Sequence, residues 1–367
     1  MRILLTGGGS GGHIMPLMTV AEELRSIRKD IDLFYLGPLD VVTRDILRRH
    51  NVKTYHNISS KCRRYFSMAN IVDLFKLPFG FIDAIIKVYK IKPDAVFSKG
   101  GYGSFWPVIA SYVWRVPILL HESDSIPGIT NRILSRFAKK IAISFKESAG
   151  YFPIGKSFLT GNPIRKELLG ISTSHDANST PIKKILIMGG SQGSERINML
   201  TLGIINSLLE KYIVMHQCGV NNYTEITVLS DQAVFVKSKN RYHLYAFLGI
   251  EQLKDVYTTS HLVITRAGAG AIFEIAASAL PSILIPLSSA AQNHQSTNAS
   301  IYAKSGACLV LQEEDLDGTK LLEEIDHVLG NTNLAVEMSR SAKLFFAEYK
   351  NAASKIAKEV LLLTANS

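Results

Sequence analysis

Cysteine is scarce in this 367-residue chain. The three present, Cys62, Cys218 and Cys308, lack the paired spacing of a disulfide framework or a zinc ribbon and point to a reducing compartment. Long apolar runs are missing too, since no stretch reaches the roughly 18 residues that a membrane-spanning helix needs. No charged segment with a small-residue cleavage site precedes the strand-like Ile3-Leu4-Leu5, so a secretory leader is not expected. Low-complexity tracts and short tandem repeats are absent. Collagen, coiled coil, disorder and an integral membrane protein are thereby excluded. Carboxylates are outnumbered: 31 Asp and Glu face 41 Lys and Arg, and the net charge of +10 favours an anionic partner. Nucleic acid, an anionic membrane face and a phosphorylated substrate are the classes that fit.

What is present is an alternation of strand and helix. At roughly 100–200 residues per domain, the length fits two domains. Residues 2–6 form a short apolar run suited to a buried parallel strand, followed by the glycine loop 7–13 (GGGSGGH) and a helix from about Met15 to Arg28. Apolar runs at 32–36, 94–97 and 116–120 continue the pattern. Near residue 183 the opening repeats, with a strand at 185–188, Gly189, Gly190 and Gly193, and then a helix. Further strands are expected at 212–216, 233–236, 262–265 and 282–286. Two such series predict an α/β chain of two Rossmann-like, doubly wound parallel-sheet domains. The polar stretch 170–181 has linker composition, and a helical pattern closes the chain.

Glycine loops between strand and helix let backbone approach an anion where a helix N-terminus presents free N–H groups. Loops 7–13 and 189–194 (GGSQGS) both fit a diphosphate-sized cradle, or a plain strand-to-helix turn. Neither ends in the Gly-Lys-Ser/Thr of a P-loop. The second strand ends in Leu36-Gly37-Pro38, without the carboxylate that a dinucleotide site wants. Asp30-Ile31-Asp32 lies before a strand, at the amino end of the sheet, and reads as a solvated turn. Asp315-Leu316-Asp317 reads as a helix start. No metal site and no cofactor are expected.

Seven motifs in order carry a more specific signal: loop 7–13, GGYGS at 100–104, HESD at 121–124, GNPIR at 161–165, GGSQGS at 189–194, TRAGAGAIFE at 265–274 and NHQ at 293–295. This set, over nearly the whole chain, resembles the bacterial lipid II-forming N-acetylglucosaminyltransferases of glycosyltransferase family 28. The resemblance implies a GT-B fold, with two Rossmann-like domains flanking a cleft. It implies metal-independent, inverting transfer of GlcNAc from UDP-GlcNAc to the MurNAc 4-hydroxyl of undecaprenyl-diphosphate-MurNAc-pentapeptide in peptidoglycan synthesis. It further implies an acceptor- and membrane-binding domain at 1–165, a donor-binding domain at 166–344, and a helix at about 345–367 that packs back on the first. A nonhydrolysing UDP-sugar epimerase and a diacylglycerol glycosyltransferase share the architecture and are the alternatives.

His13 closes the first loop at a helix start, where it serves either as the base that takes the acceptor proton or as a capping or positioning group. Glu274, one turn into its helix, is either a ribose ligand, as the resemblance implies, or a carboxylate serving the helix dipole. Arg165 bridges the diphosphate or makes a linker ion pair. On the resemblance, the donor is held by Ser10, Gly11, Gly12, Asp124, Arg165, Ser191, Ile250 near the uracil, the backbone of Ala269, Gly270, Ala271, Ile272, Phe273 and Glu274, and Gln295. Gly101, Tyr102, Glu122, Asn131 and Asn198 are acceptor or supporting residues. The chain departs from the family in having Asp124 where Asn is common, with Asn131 as a neighbouring amide, and Gln292 where Asp often precedes NHQ. Phe105-Trp106 follow GGYGS and make that loop bulkier.

Stretch 61–92 interleaves Phe66, Phe75, Leu77, Phe79, Phe81 and Ile82 with Lys61, Arg63, Arg64, Lys76, Lys87, Lys90 and Lys92. It reads as a surface that dips into an anionic interface, extended by Arg136, Lys139 and Lys140, or as a core helix with snorkelling lysines. An acceptor anchored in the bilayer, as the resemblance implies, favours a peripheral membrane patch at Phe75, Lys76, Leu77, Phe79 and Phe81. That places the positive charge without nucleic acid. The resemblance also implies the cytoplasmic face of the cell membrane, with cell-wall synthesis and division proteins as partners.

Overall fold

The computed structural model describes residues 1–8, 11–58, 68–171, 182–190 and 192–365. Ser10, Ser191, the basic segment 61–67 and the linker segment 172–181 lie outside them. The chain divides into two compact units: residues up to Arg165 together with the chain from Tyr349 onward, and Lys166–Glu348.

The first unit contains seven parallel strands, β1 (Arg2–Thr6), β2 (Asp32–Gly37), β3 (Lys53–His56), β4 (Ala95–Ser98), β5 (Ile118–Glu122), β6 (Lys140–Ile143) and β7 (Ser157–Leu159), ordered β3-β2-β1-β4-β5-β6-β7. Its helices are α1 (Gly11–Ile27), α2 (Val41–Arg49), α3 (Met68–Ile91), α4 (Phe105–Val113) and α5 (Ile129–Leu134). The second unit has β8 (Lys184–Met188), β9 (Ile213–Gln217), β10 (Tyr242–Tyr245), β11 (Leu262–Thr265), β12 (Ser282–Leu284) and β13 (Cys308–Val310), also parallel and ordered β10-β9-β8-β11-β12-β13. Around it lie α6 (Glu195–Gly203), α7 (Ile205–Lys211), α8 (Tyr223–Ala233), α9 (Ile250–Thr259), α10 (Ala269–Ala277), α11 (His294–Lys304), α12 (Gly318–Gly330) and α13 (Thr332–Glu348). The last helix, α14 (Ala352–Ala365), belongs to the first unit.

Central strands buried on both faces explain the unbroken apolar runs. In the first sheet, Ile3, Leu5, Leu33, Tyr35, Phe97 and Leu119 face α1 and α14, where Ile356, Val360 and Leu363 complete the core. Their neighbours Leu4, Leu36, Val96 and Leu120 face the opposite side, against Ala84 and Val88 of α3 and Val108 of α4. Helix starts follow capping chemistry: Asp40 accepts from Thr43 N at 2.6 Å before α2, and Asp317 accepts from Lys320 N at 2.8 Å before α12.

The strand expected at 233–236 is not there. Ala233 ends α8, Val234 is buried, and Phe235 and Val236 are exposed at the start of a 3-10 turn, Val236–Arg241. The ladder position beside β9 is taken instead by Tyr242–Tyr245, paired from Tyr242 with Val214. An apolar run needs an open ladder edge to become a strand, and here a more distant segment occupies it.

Candidate functional site

In each sheet the order reverses between two strands, β1 and β4 in the first and β8 and β11 in the second. Open α/β sheets bind ligands at such switch points, beyond the carboxyl ends of the strands. The glycine loops and most motif residues fall there.

At the first switch point the backbone is packed too tightly for side chains. A Cβ on Gly103 would lie 2.7 Å from Gly7 O and 2.3 Å from the Pro38 ring. Tyr35 Oη donates to Gly7 O at 3.3 Å and to Pro38 O at 3.2 Å. Gly12, in the first turn of α1, instead faces open space, so a ligand can approach its backbone. His13 lies in that same turn.

The HESD motif ends β5 and its glutamate organises the loop. Glu122 is buried and accepts from Asp124 N at 3.0 Å, Gly128 N at 3.3 Å and Asn131 Nδ2 at 2.9 Å. Burial, with Asp124 nearby, pushes its carboxyl well above the usual carboxylate range. Asn131 also donates to His121 O at 3.1 Å, while its buried Oδ1 has no partner among the described residues. Glu122 and Asn131 are thus supports of the loop carrying Asp124, and Asn131 has both amide hydrogens committed to it. Gly101 (φ 82°) leads into Tyr102, which begins a short 3-10 turn. Trp106 turns away from that loop: it packs on Phe81 at 5.4 Å between ring centroids and beside Gly80.

The second switch point is built around Arg266, which immediately follows β11. Its guanidinium is buried and donates to Ser194 Oγ at 2.7 Å, to the carbonyls of Ile285 and Pro286, and to Glu313. That guanidinium holds the Glu313 carboxyl below its usual range against the opposing effect of burial. Ser194 is the N-cap of α6. Gly193 (φ 84°) sits where a Cβ would be 2.2 Å from Cys218 O, so glycine alone allows this loop to close on the end of β9. Gln217 adds a tie: its Nε2 donates to Gly190 O at 3.2 Å and its Oε1 accepts from Leu248 N at 3.1 Å. It thereby links the glycine loop to the segment that leads into Ile250, the first residue of α9.

Helix α10 starts at Ala269 behind Gly268. The first-turn N–H groups of Ala269, Gly270 and Ala271 have no partner within the helix, whereas Ile272 N already donates to Gly268 O at 3.1 Å. The expected backbone contribution therefore narrows to 269–271. Ile272 and Phe273 are core residues, Phe273 stacking near Phe345 at 5.7 Å, and Glu274 is half-buried on the second turn. Gln295 Oε1 accepts from Leu287 N at 3.0 Å, which leaves its Nε2 to be directed elsewhere. Gln292 and Asn293, both at φ 57°, bring the chain into α11 through left-handed backbone that non-glycine residues rarely adopt. Asn198 is wholly buried, donating to Cys218 O at 3.0 Å and accepting from His216 Nε2 at 3.0 Å. It supports the loop from beneath.

On the first unit, α3 turns Phe79, Ile82, Ile86 and Tyr89 to solvent, at the i, i+3, i+7, i+10 spacing of one helix stripe; Phe79 is 66% exposed. Trp114 at the end of α4 stacks on Tyr89 at 5.0 Å, and Ile129 and Ile133 of α5 are exposed as well. Lys90, Lys92, Arg115, Arg132, Arg136 and Lys139 are exposed on these segments. Two expected members change place. Phe81 faces inward onto Trp106, because it falls off the stripe. Lys140 pairs with Glu359 of α14 at 2.8 Å, on the other side of the sheet. Phe75, Lys76 and Leu77 lie in α3, and their side chains are outside the described set.

Comparison with known proteins agrees with this architecture. Residues 3–143 match the glycosyltransferase family 28 N-terminal domain and residues 184–360 its C-terminal domain. A UDP-N-acetylglucosamine--N-acetylmuramyl-(pentapeptide) pyrophosphoryl-undecaprenol N-acetylglucosamine transferase of Clostridium botulinum is 34% identical over 350 residues, covering 94% of this chain and 95% of that protein. A transferase of the same name from Bacillus cereus, numbered 2, is 36% identical, over 91% of this chain and 93% of its own. Among solved structures, Acinetobacter baumannii MurG superposes with a TM-score of 0.75 at 24% identity, over 98% and 99% of the two chains. A UDP-GlcNAc 2-epimerase from Neisseria meningitidis does so at 0.67 and 14% identity, over 99% and 100%. Two doubly wound units, each with a glycine-lined switch point, make this a protein of the GT-B class. The chain belongs to glycosyltransferase family 28.

Proposed function

We propose that this protein transfers N-acetylglucosamine from UDP-GlcNAc to the MurNAc 4-hydroxyl of undecaprenyl-diphosphate-MurNAc-pentapeptide, forming lipid II. The observation that carries this reading is identity of 34–36% with the Clostridium and Bacillus transferases over nine-tenths of the chain, because their names specify both the sugar moved and the lipid that receives it. Two switch points lined by close-packed glycine backbone support it, one for each diphosphate.

In this reading the first unit holds the acceptor diphosphate at the Gly101–Tyr102 loop and the first glycine loop, whose Ser10, Gly11 and Gly12 also contribute to the donor site. His13 takes the proton of the attacking hydroxyl. The second unit holds UDP: the first-turn amides of 269–271, Ser191 and Arg165 meet the phosphates, Glu274 the ribose diol, and Ile250 the uracil. Gln295 and Asp124 meet the sugar hydroxyls. Negative charge grows on UDP as the glycosidic bond breaks, and the N-terminus of α10 meets it with aligned N–H dipoles. Attack from the face opposite UDP inverts the anomeric carbon. The apolar stripe of α3, with Trp114, Ile129 and Ile133 and the cations around them, docks the protein on an anionic membrane surface at the cytoplasmic face. No helix among the described residues is long and apolar enough to cross a membrane.

The test supplies UDP-GlcNAc and the lipid-linked MurNAc-pentapeptide in the presence of EDTA. A lipid-linked disaccharide and free UDP are expected. A free epimerised UDP-sugar made without acceptor would replace this reading, and a strict divalent-ion requirement would overturn its mechanism.

A further inference from the structure

Lys99 follows β4 at its carboxyl end and is almost wholly buried. Its ammonium donates to His121 Nδ1 at 2.8 Å, Ser123 Oγ at 2.5 Å and Asn162 Oδ1 at 3.3 Å. These acceptors are neutral, and they come from three segments: the end of β5, the loop after it, and the Gly161-Asn162 turn beyond β7. His121 accepts at Nδ1, so its proton sits on Nε2 and donates to Gly161 O at 3.2 Å, extending the clamp. The anionic groups facing the amine are Glu122 and Asp124, which act on it through space.

A buried ammonium met by neutral acceptors is unfavourable beside an apolar side chain of similar volume. Core packing alone therefore does not account for lysine at this position. What distinguishes the place is its neighbours. Gly100 and Gly101, both at φ 82°, follow directly, and Gly103 lies against Gly7 O. Lys99 N also donates to Thr6 O at 2.9 Å, which ties it to the strand that ends in the first glycine loop. The side chain continues the row of Phe97, on the face of the sheet that carries α1.

We propose that Lys99 is a positioning residue for the acceptor diphosphate, locking three carboxyl-edge segments into one platform and setting a positive charge behind the glycine loops. This rests on the acceptor reading given above. Burial lowers the Lys99 amine well below the usual lysine range, with Glu122 and Asp124 opposing that shift. The platform therefore loses its charge as pH rises through that region.

Steady-state kinetics on the full chain, varying each substrate against pH, test this. In the natural protein, kcat/KM for the lipid acceptor should fall by about tenfold per pH unit once the buried amine loses its proton, at a lower pH than an exposed lysine titrates. The value for UDP-GlcNAc should stay level over the same range. Lys99→Gln, which keeps a donor but loses the charge, should raise the acceptor KM by about tenfold or more and remove the alkaline limb. Its UDP-GlcNAc KM should be unchanged. Equal shifts for both substrates, or an unchanged acceptor KM, would overturn the inference. Should the variant fail to fold, the natural protein decides: an alkaline limb common to both substrates, or none, defeats the proposal. A natural protein that makes no lipid-linked disaccharide at any pH would remove the acceptor reading itself, and this inference with it.

Discussion

Arg266 Nη2 donates to Ser194 Oγ at 2.7 Å, so the residue that leaves β11 holds the N-cap of α6 across the reversal of the second sheet. The same guanidinium engages Glu313, beyond β13, and the carbonyls that follow β12. One buried side chain thus ties together the carboxyl ends of four neighbouring strands.

Arg266→Met should therefore destabilise the protein and damage the donor site together. Leaving Glu313 buried without its partner costs about 3 kcal/mol, which for a unit of this size lowers Tm by roughly 6–12 °C. Calorimetry and a UDP-GlcNAc titration read the two effects. A melt within a degree of the natural protein would show that Glu313 finds solvent instead.

Glu274→Ala is expected to act on binding. Losing a charge-assisted hydrogen bond to the ribose should raise the UDP-GlcNAc KM by roughly tenfold to a hundredfold, with kcat nearly kept. A loss confined to kcat would contradict the ribose role.

His13→Ala should do the opposite. Turnover should drop by roughly 10² to 10⁴, as for removal of a general base, while the Kd for UDP-GlcNAc stays the same. Unchanged turnover would take His13 out of the chemistry.

Acid sensitivity should trace to His216. It is fully buried, accepts a hydrogen bond from the Tyr242 hydroxyl at Nδ1 (2.9 Å) and donates one from Nε2 to Asn198 Oδ1; burial drops its pKa to about 3. The folded state keeps the ring neutral, whereas the unfolded chain takes up a proton below about pH 6.5. Stability is thus whole above that pH and falls as pH drops, by about 1.4 kcal/mol per pH unit, until the folded pKa is reached. Denaturant melts of the natural protein and His216→Gln between about pH 4 and 7 should differ in slope; parallel slopes would exclude His216 as the source.

The membrane face is tested by Phe79→Asp combined with Ile86→Asp. Each side chain contributes about 1.5 kcal/mol when withdrawn from water, so binding to anionic vesicles should weaken by about a hundredfold. Sedimentation with vesicles measures it, and unaffected partitioning would leave the stripe without a lipid role.

The elements that were legible in the sequence share a physical property. Central strands such as β1, β4, β8 and β11 are buried on both faces and show as apolar runs, and the loops at both switch points announce themselves through glycine. Edge strand β3 (Lys53–His56) was not legible, because all four residues are exposed and carry no apolar signal. Arg266, Lys99 and Gln217 escaped for a related reason. Each is a polar residue whose partners lie far along the chain, and nothing local marks a side chain as buried. Only the placement of Lys99 after an apolar strand and before two glycines offered a hint. Phe81 was misplaced because composition shows that a segment is apolar, while only helical phase shows which side faces out.

The return of α14 to the first unit sets an order of events during synthesis. Ile356, Val360 and Leu363 fill the core against α1, although more than 300 residues separate them from it. The first unit is therefore completed only after the whole of the second has been synthesised, and its portion up to Arg165 leaves the ribosome with an apolar face uncovered until α14 emerges.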